Sequence, residues 1–169
     1  MTDKTLIFCT SYIHDSKVWS SRYHKWIKYY RDLPFCQDKD LFIIDDGSDE
    51  ECLKLFDEEN DQNKRYNEDQ LSLEPTRPPG INLFHFEKRL GINPMDNAPG
   101  LYGSTIGWYR SFFFSVQLAE RFGYEKIIHL ESDAYLVTQK ICDYIDSLNS
   151  GWVSFYCPKY RFPETSIQV

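Results

Sequence analysis

"KIIHLESDAYL", residues 126–136, is the stretch on which the fold turns. Ile127, Ile128 and Leu130 make a short apolar run, as a strand covered on both faces requires. The run stops at Glu131-Ser132-Asp133. Alternation along a strand puts Glu131 and Asp133 on the side of His129, away from Ile128 and Leu130. Two acids flanking a serine are either the solvated end of a strand or a place where something charged binds.

Similar segments recur upstream. "TLIFCTSY" (Thr5–Tyr12) is a second buried strand, and "LFIIDDGSD" (Leu41–Asp49) a third that stops at Gly47. "INLFHF" (Ile81–Phe86) is a fourth and "WVSFYC" (Trp152–Cys157) a fifth. Helical patterns lie between them. Trp19, Tyr23, Trp26, Ile27, Tyr30 and Leu33 recur at helical spacing up to Pro34. Ser48 and Glu51 have capping-box spacing for a short helix through Phe56. A helix from Ser104 to Arg121 is expected to turn Ile106, Tyr109, Phe112, Phe113, Val116 and Ala119 to the core, with Phe112-Phe113-Phe114 as a core run. Ile141, Tyr144, Ile145 and Leu148 mark a further helix that Thr138 caps and Gly151 ends.

Alternating strands and helices with apolar strands predict an α/β fold with a doubly wound, mostly parallel sheet. The 169 residues make one domain, 1–169. Residues 57–80 are polar, with three prolines near their end, and predict a long exposed loop. Gly91–Gly103 predicts another.

Composition narrows the function. Aromatics are 17% of the chain, so a large core is available. A net charge of −7 argues against binding a nucleic-acid polymer, which wants a basic face. Five cysteines with no C-x-x-C pair argue against a disulfide framework and fit a reducing compartment. No apolar run is long enough for a transmembrane segment, and the chain enters a strand directly, so the expected location is cytoplasmic.

In such sheets ligands sit beyond the carboxyl ends of the strands, where strand order reverses. The informative residues are therefore Thr10-Ser11-Tyr12, Asp45-Asp46-Gly47-Ser48, Glu87-Lys88-Arg89 and Glu131-Ser132-Asp133. "FCTSYIHDS" lacks the glycine fingerprint of dinucleotide sites, a P-loop, and the nucleophilic aspartate of phosphatases. A nucleotide-sugar site fits. A carboxylate of Asp45-Asp46 accepts N–H groups of uracil or guanine, and an acid of Glu131-Ser132-Asp133 holds a divalent cation against a diphosphate.

"FCTSY", "IIDDGSDEE" and "HLESDAYL", in that order over Thr5–Leu136, resemble the nucleotide-diphospho-sugar glycosyltransferases of the GT-A (Rossmann-like) fold, most closely the inverting family 2 type. The resemblance implies that Thr10, Ser11 and Tyr12 line the base, that Asp46 hydrogen-bonds it, and that Arg110 faces the nucleotide or its phosphates. It further implies that Ser132 is the middle of a D-x-D-like motif and that Asp133, with Glu131 in place of the first Asp, binds Mn²⁺ or Mg²⁺. Donor and acceptor would be a UDP- or GDP-sugar and a glycan or other hydroxyl. In the family the acceptor part follows the metal motif; here it is short or missing, and Glu164 is the sole acid after the last expected strand. The alternative is a non-catalytic nucleotide-sugar-binding module acting with a partner. A nucleotidyltransferase would want a glycine-rich basic loop after the first strand, which "CTSYIHDS" is not.

Each motif also has a plainer use. Asp45-Asp46-Gly47-Ser48 suits a turn, Arg110 suits an exposed helix face, and Lys88 and Arg89 suit a solvated strand end. His85 and His129 suit packing better than metal ligation.

Overall fold

The computed structural model describes residues 4–58, 64–73, 80–91, 106–159 and 161–169. Among them seven strands form one sheet in the order β3-β4-β2-β1-β5-β7-β6. The strands are β1 Thr5–Ser11, β2 Asp40–Asp45, β3 Lys64–Tyr66, β4 Ile81–His85, β5 Lys126–Leu130, β6 Ser154–Cys157 and β7 Phe162–Gln168. The first five lie parallel, while β7 runs antiparallel to β5 and β6 antiparallel to β7. The chain is thus an α/β fold with a mostly parallel sheet.

β1 and β2 are buried along their whole length, which is why both read as unbroken apolar runs. Helices α2 His24–Asp32, α3 Glu50–Asp57 and α6 Gln139–Ser147 bring Trp26, Ile27, Leu53, Phe56 and Ile145 onto the sheet face that carries Ile7, Ile43 and Ile128. The opposite face carries Leu6, Phe8, Phe42 and Phe84. It is covered by Leu71 of α4 Glu68–Leu73 and Leu118 of α5 Ile106–Phe122. Three layers result, with two apolar interfaces. A short helix, α1 Ser16–Val18, is capped by the Asp15 side chain and leads through a π-helical turn, Trp19–Tyr23, into α2.

Five sequence expectations are corrected. Residues 57–80 are not one loop: they contain β3, which extends the parallel sheet beyond β4, and α4, whose Leu71 is buried. Lys64-Arg65-Tyr66 is too short and polar to announce a strand; edge pairing to β4 makes it one. The capping box is absent. Asp49 is the N-cap of α3, and Ser48 Oγ donates to Asp45 and accepts the Ile13 N–H instead. α6 starts at the Thr138 cap as expected but ends at Ser147, before Gly151. A strand missed in the sequence, β7, lies between β5 and β6.

The fifth correction concerns α5. Its buried face is Gly107, Ser111, Ser115 and Leu118, not the larger residues. Phe113 is 62% exposed and Tyr109 51%, and Ile106 and Val116 are also exposed; only part of Phe112 and Phe114 reaches the core. Small side chains let the helix axis approach the sheet closely, and the neighbouring aromatic side chains straddle the seam. The start of this helix at Ser104 and most of the Gly91–Gly103 loop lie outside the described residues.

Candidate functional site

Strand order reverses between β1 and β5, since the chain moves from β1 to β2 on one side and reaches β5 on the other. At this reversal Thr10 and Glu131 meet. Thr10 Oγ1 donates to Glu131 Oε2 at 3.5 Å, and Trp108 Nε1 of α5 donates to Glu131 Oε1 at 2.5 Å. His129 Nε2 lies 3.4 Å from the same Oε1, so Glu131 and His129 share a face as strand alternation predicts. Burial pushes the Glu131 carboxyl above its usual value, partly offset by the Trp108 N–H.

The turn after β5 is held from three directions. Glu131 N–H donates to Ser166 of β7 at 2.9 Å, and Ala134 N–H donates to the Glu131 carbonyl at 2.9 Å. Tyr30 Oη donates to the Ala134 carbonyl at 2.9 Å and accepts Leu136 N–H, while Tyr29 Oη donates to the Leu136 carbonyl at 2.7 Å. Ser132 is buried in this turn and Asp133 is exposed. Asp133 is therefore free to meet a ligand, and Ser132 is not.

One strand to the other side, Asp45 and Asp46 divide the work. Asp45 is fully buried. It accepts Ser11 Oγ (2.8 Å), Ser48 Oγ (2.5 Å), Ser48 N–H (2.7 Å) and Gly47 N–H (3.1 Å), and faces His85 Nδ1 at 3.0 Å. It builds the turn, so Ser11, expected at the base, is a structural partner of Asp45. Gly47 has φ +82, and a Cβ there would stand 2.5 Å from Arg89 N, so the turn needs glycine on both counts.

Asp46 turns to the α5 side. Its carboxylate pairs with Arg110 and accepts Gly91 N–H at 2.8 Å and Leu90 N–H at 3.4 Å. A Cβ on Gly107 would fall inside the Asp46 carboxylate. Arg110 also donates to the Lys88 carbonyl at 2.7 Å and lies 3.9 Å over the Phe86 ring. Arg110 and Asp46, named separately from the sequence, are thus one ion pair. Arg89 lies 3.7 Å over the Tyr12 ring and donates to Tyr12 Oη at 2.9 Å, and the Tyr12 N–H donates to Tyr23 Oη at 3.2 Å. The π-helical turn places that Tyr23 hydroxyl beneath the end of β1.

β2 and β5 flank β1, so the Asp46 and Asp133 ends share one edge of the sheet, about 10 Å apart at ordinary strand spacing. The structure brings together Thr10 with Glu131, and Asp46 with Arg110. It leaves Asp133 exposed at the rim, half-buries Tyr12 beneath Arg89, and withdraws Ser11 and Ser132. Trp108, Gly107 and the Gly91 N–H were not anticipated. A glycine inside an amphipathic helical pattern, as in "GWYR", is the signal that could have marked Gly107, because helix interiors disfavour it.

No group of three His, Cys, Asp or Glu able to hold a metal occurs among the described residues. Asp133 suits a divalent cation as a single exposed carboxylate. Glu131 is already held by Trp108 and Thr10 and is largely buried. The side chain of Glu164 lies outside what is described. Among the described residues no helix is long and apolar enough to cross a membrane. No protein-family model, curated protein or solved structure matches this chain.

His129 makes a pH prediction. It is 1% exposed, and burial pulls its imidazole down to about 4 from the usual 6.5, against a small opposing effect of the Thr165 backbone. Between those values the unfolded chain binds more protons than the folded one. The stability of neutral His129 is therefore whole above 6.5 and falls as pH drops toward 4, by about 3 kcal/mol. Glu131, shifted upward, acts with the opposite sign above its usual value. Urea melts of the wild type and His129→Gln between pH 7 and 4 isolate the histidine: the variant is expected to lose less stability on acidification. Equal losses would remove His129 as the cause.

Proposed function

We propose that the chain is a nucleotide-diphospho-sugar glycosyltransferase domain of the GT-A type. The observation that carries this is the meeting of Thr10 and Glu131 at the reversal of strand order, with the Asp46–Arg110 pair on the next strand along. Parallel sheets bind ligands at such an edge. The edge supplies what a nucleoside diphosphate asks for: an aromatic ring (Tyr12), two guanidinium groups (Arg89, Arg110) and one exposed carboxylate (Asp133).

In this assignment the base stacks at Tyr12, and the remaining lone pairs of Asp46 accept its N–H groups. Arg110 and Arg89 neutralise phosphate. Asp133 holds Mn²⁺ or Mg²⁺, which when bound offsets the charge of the departing diphosphate. Glu131 has a different part from the metal role its sequence position implies: it fixes Thr10 and Trp108 as the walls of the crevice. The acceptor hydroxyl oxygen bonds to the anomeric carbon as the bond to the diphosphate oxygen breaks. The hydroxyl proton passes to solvent water, and the nucleoside diphosphate leaves with the electron pair.

Isothermal titration with UDP and GDP, each with Mn²⁺ and with chelator, tests the assignment. One nucleotide is expected to bind about tenfold or more tightly with Mn²⁺. Asp133→Ala is expected to remove that gain without lowering the melting temperature, because the side chain is exposed. Unchanged affinity in the variant would dismiss Asp133 as the metal ligand, and failure of both nucleotides to bind would dismiss the function. Release of nucleoside diphosphate from a UDP- or GDP-sugar then separates a transferase from a non-catalytic binding module.

A further inference from the structure

Helix α5 carries non-polar residues on two opposite sides. Gly107, Ser111, Ser115 and Leu118 face the sheet. With about 3.6 residues per turn, Ile106, Tyr109, Phe113 and Val116 centre on the side directly opposite. These four side chains stay between 38% and 62% exposed. A helix that is apolar all round is normally covered all round. Among the described residues nothing covers this outer side.

The spacing says what fits there. The steps of three, four and three residues from Ile106 to Val116 are those of the a and d seam of a coiled coil, the pattern that receives another helix. The seam also reads alike from either end, with an aliphatic side chain at each outer position and an aromatic ring at each inner one. Tyr109 and Phe113 have ring centroids 6.4 Å apart and planes 20° from parallel, a flat pair at its middle. Two such helices laid antiparallel about a two-fold axis set Ile106 against Val116 and Tyr109 against Phe113, each contact made twice. No charged residue lies on the stripe before Glu120, one turn past Val116, so a chain of net charge −7 meets its copy there without opposing like charges. Arg110, on the flank, is already bound to Asp46 and the Lys88 carbonyl.

The area is sufficient. Phe113 and Val116 share the wall of a cleft of about 760 Å³ with Trp152, which is 75% exposed. Trp152 thus extends the stripe across the cleft to the segment before β6. Aromatic side chains bury about 150–250 Å² each when fully covered, so these five residues offer roughly 500 Å² per copy. Two copies then bury roughly 1,000 Å², the size at which a specific interface begins.

We propose that this face is a homodimer interface in which α5 packs antiparallel on α5 of a second copy of the chain. It uses the outer side of a helix whose first turn serves the strand ends, and it does not depend on what binds at those ends.

Sedimentation velocity of the full chain from about 1 to 100 μM tests it. The wild type is expected to pass from monomer to dimer over that range, as suits an interface of the smallest specific size. Phe113→Asp is expected to weaken association about 30-fold or more, the loss of a central aromatic anchor. Ile106→Glu and Val116→Lys are each expected to weaken the dimer, and the two combined to restore it, since an antiparallel seam brings the opposite charges together. The wild-type series can overturn the proposal even if the variants fail to fold. A wild type still monomeric at about 100 μM does so. So does a dimer that Phe113→Asp leaves intact, or a double variant that associates no more tightly than either single one. A monomer that co-sediments with phosphatidylcholine vesicles also overturns it, since a lipid surface would then be what covers the stripe.

Discussion

Replacing Asp45 by alanine is expected to cost about 3–5 kcal/mol of unfolding free energy, the largest stability effect of any single change at the strand ends. The side chain is fully buried and gathers four donors from Ser11, Gly47 and Ser48, with His85 beside it. Its removal leaves two backbone N–H groups and two hydroxyls without an acceptor in a place water does not reach. Asp45→Asn keeps one acceptor oxygen and is expected to cost clearly less. Chemical denaturation of the three proteins at pH 7 measures this. A loss under about 1 kcal/mol in Asp45→Ala would mean that the turn finds other acceptors, and that its order does not come from this carboxylate.

The second large effect is expected at a residue with no functional group. Gly107→Ala puts a methyl where the Asp46 carboxylate now sits. Asp46 is short and held by Arg110, Gly91 and Leu90, so it cannot swing aside without breaking those bonds. Alanine is ordinarily the better helix residue by about 1 kcal/mol, so a gain in stability is what propensity alone predicts. The packing argument predicts the reverse, a loss of about 1–3 kcal/mol. Under the proposed function it also predicts a fall in nucleotide affinity of about tenfold or more, matched by Asp46→Ala and present in chelator as well as Mn²⁺. A stabilised Gly107→Ala protein with full affinity would show that α5 does not press on Asp46 in solution.

These two residues show what could be seen in the chain and what could not. The DDGS segment was legible as a turn, which occupies Asp45 wholly; Asp46, favoured from the sequence for a ligand, is itself buried and held by Arg110 and Gly91. The partners of Asp46 were not legible. Gly91, Arg110 and Gly107 are 45 to 64 residues away, and only the seating of α5 on the sheet brings them within reach. That seating was misread for a physical reason. A search for large apolar residues at helical spacing assumes that the bulky face is the buried one, whereas α5 buries its small residues and turns Phe113 and Tyr109 outward.

β7 makes the same point. Its sequence, "FPETSIQ", runs three polar residues together and has proline at its second position, so it carries little strand signal. Pairing with β5 on one side and β6 on the other creates it, and its Ser166 carbonyl then fixes the backbone of Glu131. The polar cross-strand pair of His129 and Gln168 exists only because of that register.

By itself the amino-acid order determined the layered α/β character, the parallel apolar strands and the positions where polar residues leave them. Those follow from local periodicity and from burial on both faces, which neighbouring residues record. The tertiary structure alone decided which acids are spent on turns and which carboxylate stays exposed. Hydrogen bonds between residues far apart in the chain settle those questions, and such pairings leave no trace in local composition.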